Sequence, residues 1–225
     1  MFLPRLAVVF AIALSPVAAQ ADALLDQLRR EAKDAPVVAF ERTVRTDMLS
    51  GKGPASSVQV DRFNASTRQW TLVSIDGRPP TVDETAKHAK QVAALPVPGF
   101  HRLSTVMAGA AKRSTDGKGR TVYRWEQLPA GALASLGPDI STKLSAEALV
   151  EDVGGRPMVS QMRVYATQPF SIMSVAKMNV FNLVTQYRLK GGSAPFLAIQ
   201  TSETDLSAPF GRGIKQKTQA NFRPL

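Results

Sequence analysis

The chain of 225 residues has no cysteine, two histidines and no run of five or six like charges. Without cysteine there are no disulfides and no thiol to carry a lipid anchor. Neither His88 nor His101 has a second histidine or a carboxylate at metal-ligand spacing, so no metal and no other cofactor is expected. A Gly-x-Ser-x-Gly elbow is absent, which leaves an esterase nucleophile without support. The stretch GRGIKQKT at Gly211 to Thr218 has the wrong glycine spacing for a phosphate loop and leads into a strand, not a helix. Adjacent carboxylates at Asp83-Glu84 and Glu151-Asp152 read as a helix cap and a turn, so nothing points to a glycosidase pair. There is no internal repeat and no low-complexity segment, hence no sign of a domain boundary.

The first residues read MFLPRLAVVFAIALSPVAAQADALL. Arg5 is a short positive start, Leu6 to Leu14 is wholly apolar, and Ala19-Gln20-Ala21 fits a small-residue cleavage site. This is the layout of a secretory signal peptide over residues 1–21, removed on export. Its apolar part is too short to span a bilayer, which takes about 20 residues. The expected compartment is the periplasm, and residues 22–225 are expected to form one domain. Lys and Arg number 28 against 18 Asp and Glu, a formal net charge of +10. The arginines stand singly, as at Arg42, Arg45, Arg62 and Arg68. That predicts a solvated basic surface, suited to an anionic membrane surface or to envelope proteins; nucleic acid is not expected as a partner.

Leu24, Leu28 and Ala32 recur at helical spacing, with Asp26 and Arg30 as an i,i+4 pair on another face. Val37 to Thr46, Ser57 to Phe63 and Gln69 to Ile75 read as strands. The second sets Val58 and Val60 against Gln59 and Asp61. Thr81-Val82-Asp83-Glu84 is a capping box, opening a helix to about Leu95 with a thin stripe of Val82, Ala86, Ala89 and Ala93. A second helix is predicted from His101 to Lys112, giving a helical insert over about 81–112. From Arg120 onward the pattern is strand. Lys143 to Val153 places Leu144, Ala146, Ala148 and Val150 on one face. A double glycine then precedes Met158, Ser160, Met162 and Val164 on one phase. Ile172 to Val180 carries Ser174, Ala176, Met178 and Val180 on one phase. At Phe181-Asn182 the phase flips, which predicts a bulge or tight turn. Gly191-Gly192-Ser193 is a further hairpin turn.

Roughly nine or ten strands joined by short turns are antiparallel neighbours. With one polar and one apolar face, such a sheet is covered on one side only and curls. The fold class expected is mainly β (α+β): a strongly curved antiparallel sheet or half-barrel, with a few helices covering the concave face. Of seven methionines, four lie between Met158 and Met178. Methionine is flexible and polarizable, so it suits both irregular core gaps and adaptable ligand walls. The candidate groove residues are therefore Leu144, Val150, Met158, Met162, Met178 and Val180.

The layout of leader, amphipathic helix, antiparallel meander, helical insert and returning strands resembles the LolA/LolB/RseB-like half-barrel family of Gram-negative envelope proteins. The resemblance covers the chain after its leader and is architectural. It implies a curved sheet whose apolar concave face, lidded by helices, receives lipid or lipoprotein acyl chains. The family includes soluble carriers, anchored acceptors and sensors of envelope stress. The expected function is a soluble periplasmic binding protein, not an enzyme, whose partner is a lipid or lipoprotein acyl chain. The alternatives are a periplasmic sensor or scaffold acting through protein contacts and, more remotely, an envelope hydrolase.

Overall fold

The computed structural model describes residues 22–133, 138–172, 176–189, 194–208 and 213–225. The expected leader over residues 1–21, Ser174, the Gly191-Gly192-Ser193 turn and Gly211 lie outside these.

Helix α1, Ala23–Asp34, is capped by Asp22, whose carboxylate accepts from the backbone N–H groups of Leu24 and Leu25. The same carboxylate accepts from the Tyr123 hydroxyl at 2.8 Å, tying the helix start to the sheet. Leu25, Leu28 and Ala32 are buried, with Leu24 partly so. The ion pair on its other face is not Asp26–Arg30. Asp26 pairs one residue earlier, with Arg29 at 3.2 Å. Arg29 is recruited because it also donates through Nε to the Met107 carbonyl at 2.9 Å and through its terminal nitrogen to the Gly109 carbonyl.

Strands β1 (Phe40–Ser50), β2 (Gly53–Asn64) and β3 (Gln69–Ile75) form the first meander. The insert follows: α2 (Val82–Ala93), a 3-10 turn (Phe100–Arg102) and α3 (Leu103–Val106). Then come β4 (Lys112–Thr115), β5 (Thr121–Trp125), β6 (Ser145–Asp152), β7 (Pro157–Tyr165), β8 (Phe170–Ile172), β9 (Ala176–Arg188), β10 (Phe196–Ser207) and β11 (Ile214–Pro224). One antiparallel sheet runs β3-β2-β1-β11-β10-β9-β7-β6-β5-β4, with β8 also on β9. Among the described residues β3 and β4 are not paired with each other, so the sheet is open. The β1–β11 pairing, Phe40 opposite Pro224 through Ser50 opposite Ile214, joins the first strand to the last.

Two predicted elements are corrected. The helix from His101 to Lys112 is only the 3-10 turn and the single turn of α3. The chain leaves it at Gly109, whose φ of 88° is left-handed, and the last carbonyls are taken by Arg29 instead of by further helical N–H groups. Lys112–Thr115 is an edge strand, all exposed; with no residue to bury it carries no hydrophobic period. The third correction is one of phase. On β2 the buried side is Asp61 and Phe63, not Val58 and Val60. Phe63 stacks on Phe40 with ring centroids 5.6 Å apart. Asp61 follows it inward because Arg42 stands directly opposite on β1.

The core lies between the concave face and α1 plus α3. It includes Leu28, Met107, Tyr123, Trp125, Ala146 and Val159, each almost fully buried. The helix α2 stays outside it.

Candidate ligand cavity

A cavity of about 630 Å³ opens between the concave face and the helical insert. Its sheet wall comes from β1, β2, β3, β7, β9, β10 and β11, with Val44, Met162, Val164, Leu183 and Leu197 as aliphatic or thioether positions. Val92 and Leu95 close it from the α2 side, Leu103 and Val106 from α3. Hydrogen-bonding side chains share the lining: Thr46, Gln59, Gln91, Thr185, Gln200 and Gln216. The wall is amphipathic, with uncharged amides and hydroxyls among aliphatic groups.

One side is built on a buried polar cluster. Asp61, fully buried, accepts from Arg42 through Nε–Oδ1 at 3.0 Å and through the terminal nitrogen to Oδ2 at 2.6 Å. Gln59 Nε2 donates to Oδ2 at 2.9 Å, and His88 Nε2 lies 3.1 Å from the same oxygen. With the carboxylate accepting, that imidazole nitrogen is the donor. The Arg42 guanidinium lies 4.7 Å from the Trp70 ring centroid, and His88 meets the edge of that ring. Trp70 also packs on Phe40 and Phe63. Arg42, Gln59, Trp70 and His88 all line the cavity.

His88 overturns the expected stripe of α2: it is the one buried residue of that helix. Accordingly, Val82, Ala86, Ala89 and Ala93 point to solvent, Val82 at 85% exposure. The side turned to the cavity is His88, Gln91 and Val92, with Leu95 just beyond the helix. A count of apolar residues misses it because two of these four are polar. What could have found it is the same helical spacing read with His88 as an anchor for an inward carboxylate.

The start of α2 is held as strongly as the capping box predicts. Thr81 Oγ1 accepts from the Glu84 N–H at 3.2 Å, while the Glu84 carboxylate accepts from the Thr81 N–H at 2.8 Å. Arg78 adds a forked contact to both Glu84 oxygens. The Arg78 guanidinium, then the Thr81 N–H, hold the Glu84 carboxyl down at about 2, against an ordinary 4.5. A depressed carboxyl contributes stability above its ordinary value and loses it as pH falls toward the folded value. Glu84→Gln should therefore melt below wild type at pH 6, and the gap should close between about pH 4.5 and about pH 2. Thermal unfolding at stepped pH checks this; a gap independent of pH would rule out the carboxylate as its source.

Of the six groove candidates, the cavity takes Met162 alone. Leu144 is in the sealed core. Val150 and Met158 are buried and border separate clefts. Met178 is buried without reaching the cavity. Val180 faces solvent at 40% exposure, a correction with a clear cause. On β10, Leu206 pairs with Met178 but Asp205 pairs with Val180, so Asn179 is the bulged residue. The phase turns there, before Val180, and not at Phe181-Asn182. Asn179 is held by its side-chain N–H donating to Asp205 and Ser207, both at 3.2 Å. The residues that do form the cavity were missed because they are drawn from strands and turns far apart in the chain. No group of three or more His, Cys, Asp or Glu is arranged to hold a metal among the described residues.

No family model matches the chain, and no curated protein matches it. A crystal structure of a domain from Vibrio parahaemolyticus, named for outer membrane lipoprotein sorting, is similar over 88% of this chain and 88% of its own, at 7% identity and a TM-score of 0.34.

Proposed function

We propose that this protein is a binding protein that shelters the acyl chain of a lipid or lipoprotein in the cavity beneath α2, and that it does no chemistry on it. The observation that carries this reading is the cavity itself. Its 630 Å³ falls within the 300–1,000 Å³ of small-molecule sites, and its wall mixes aliphatic side chains with a few uncharged hydrogen-bonding groups. The helix above it supports the same reading. Almost all of α2 is exposed, and its inward hold is the His88–Asp61 contact with a few partly buried neighbours. Such an element is at the low end of local stability and opens more easily than the core. The His88–Asp61 pair favours an anchor over a catalytic base. Asp61 is already engaged by Arg42 and Gln59, and no serine or threonine among the described residues hydrogen-bonds to His88. The reading takes the protein as periplasmic, as the leader predicts, with its positive charge favouring approach to anionic membrane.

The test is binding of a fluorescent fatty acid to purified protein, together with analysis of extracted lipid. Leu183 is half-buried in the cavity wall, so a charge there faces open space in the empty protein and an acyl chain in the complex. Leu183→Asp should weaken the probe at least about tenfold, since the chain would strip water from a carboxylate. A wild-type protein that binds no probe and carries no lipid sinks the proposal. So does a folded Leu183→Asp variant that binds the probe as well as wild type.

A further inference from the structure

We propose that the cavity selects amphiphiles with an anionic head, a carboxylate or a phosphate monoester, and that Arg102 holds that head. This rests on the acyl-chain reading and names the class of ligand within it. The ionisable side chains that line the cavity are Arg42, His88 and Arg102, and no carboxylate lines it. Arg42 is already paired. The Nε–Nη2 edge of its guanidinium is taken by Asp61, and its face rests on Trp70.

Arg102 is in the opposite position. It is half-buried at the end of the 3-10 turn, and among the described residues its guanidinium has no ion pair and no hydrogen bond. A guanidinium carries five N–H donors and no acceptor. Its N–H groups stay open to water, and the cavity it lines is where an anion would replace that water. Its charge is felt locally: after burial, Arg102 is the next cause holding the His101 imidazole below its ordinary value. The turn that presents Arg102 is tight, for a Cβ at Gly99 would lie 2.9 Å from His101 Nδ1. Gln91 and Gln200, which line the same cavity and also have no side-chain partner among the described residues, add donors and acceptors suited to ester or phosphate oxygens. A guanidinium and two free amides beside aliphatic walls match a charged head on an apolar chain. They do not match a wholly apolar ligand, which would bury all three unpaired.

Palmitate, hexadecyl phosphate and monopalmitoylglycerol separate the possibilities, each measured by displacement of the fluorescent probe. Wild type should bind both anionic amphiphiles about tenfold more tightly than the glyceride, the size of one charge-assisted contact. Arg102→Gln should remove that preference by weakening the two anions about tenfold, leaving the glyceride within about twofold. Arg102→Lys should keep part of the preference, because the charge remains and the fork is lost. Inorganic phosphate alone should not displace the probe. Equal affinity of wild type for all three amphiphiles, or an equal loss for all three in Arg102→Gln, overturns the assignment while leaving acyl binding in place. Displacement by inorganic phosphate at the affinity of hexadecyl phosphate overturns it too, as a site for free anions. If none of the three binds, the acyl-chain reading itself has failed.

Discussion

Asp61→Ala should lower the unfolding free energy by about 3 kcal/mol, the cost of removing one partner from a buried ion pair. The carboxylate is fully buried and is the common acceptor for Arg42, Gln59 and His88. Without it, a guanidinium only 20% exposed and an imidazole 5% exposed lose their partner together. The Arg42 side borders the cavity, so water can partly compensate, which keeps the figure at the lower end of the range for such losses. Asp61→Asn should cost less, since an amide oxygen still accepts one of the bonds. The double replacement Arg42→Met with Asp61→Leu should recover most of the loss, because two apolar groups need no partner. Urea unfolding followed by tryptophan fluorescence measures all three, with Trp70 against Arg42 as a local reporter. A loss under about 1 kcal/mol for Asp61→Ala would show that the cluster is solvated and α2 is held by something else.

Phe63→Ala should be at least as damaging, at about 4 kcal/mol, the usual cost of cutting a buried phenylalanine to a methyl. Phe63 is fully buried and packs on Phe40 and on Trp70, at 5.6 Å and 5.2 Å between ring centroids. Phe40 in turn meets Phe222 edge-on at 5.2 Å, across the β1–β11 seam that joins the first strand to the last. The aromatic group thus links the first meander to the last strand. For a domain of this size the melting temperature should fall by about 10 °C. Phe63 and Asp61 point to the same side of β2 and share Trp70 through Arg42. Their losses should not add when combined, and a double-mutant cycle reads the coupling directly. A drop of only a degree or two in Phe63→Ala would mean that the seam does not depend on these rings.

Much of the architecture was legible from local pattern. The capping box at Thr81 and Glu84 is formed as its spacing predicts. The apolar phase of Leu144 and, in β6, Ala146, Ala148 and Val150 is buried as alternation requires, and the double-glycine hairpin joins β6 to β7. Strands separated by short turns pair with their neighbours, so an antiparallel sheet with few helices follows from the order of the elements. These features depend on contacts within a few residues, and the sequence by itself determined them. The tertiary structure alone decided which face of β2 turns inward. Alternation defines two faces, but Asp61 goes inside only because Arg42 on the next strand neutralises it and Phe63 pulls the same phase into the core. It also decided where β9 changes phase, since a bulge at Asn179 is an outcome of register with β10 and of side chains on that partner strand. The cavity belongs to the same class. Val44, Leu183, Leu197 and Gln216 come from four strands, and Arg102 from a turn in the insert; no spacing along the chain encodes their meeting. A site whose members are distant in sequence is set by strand order and sheet curvature, and these exist only once the sheet has formed.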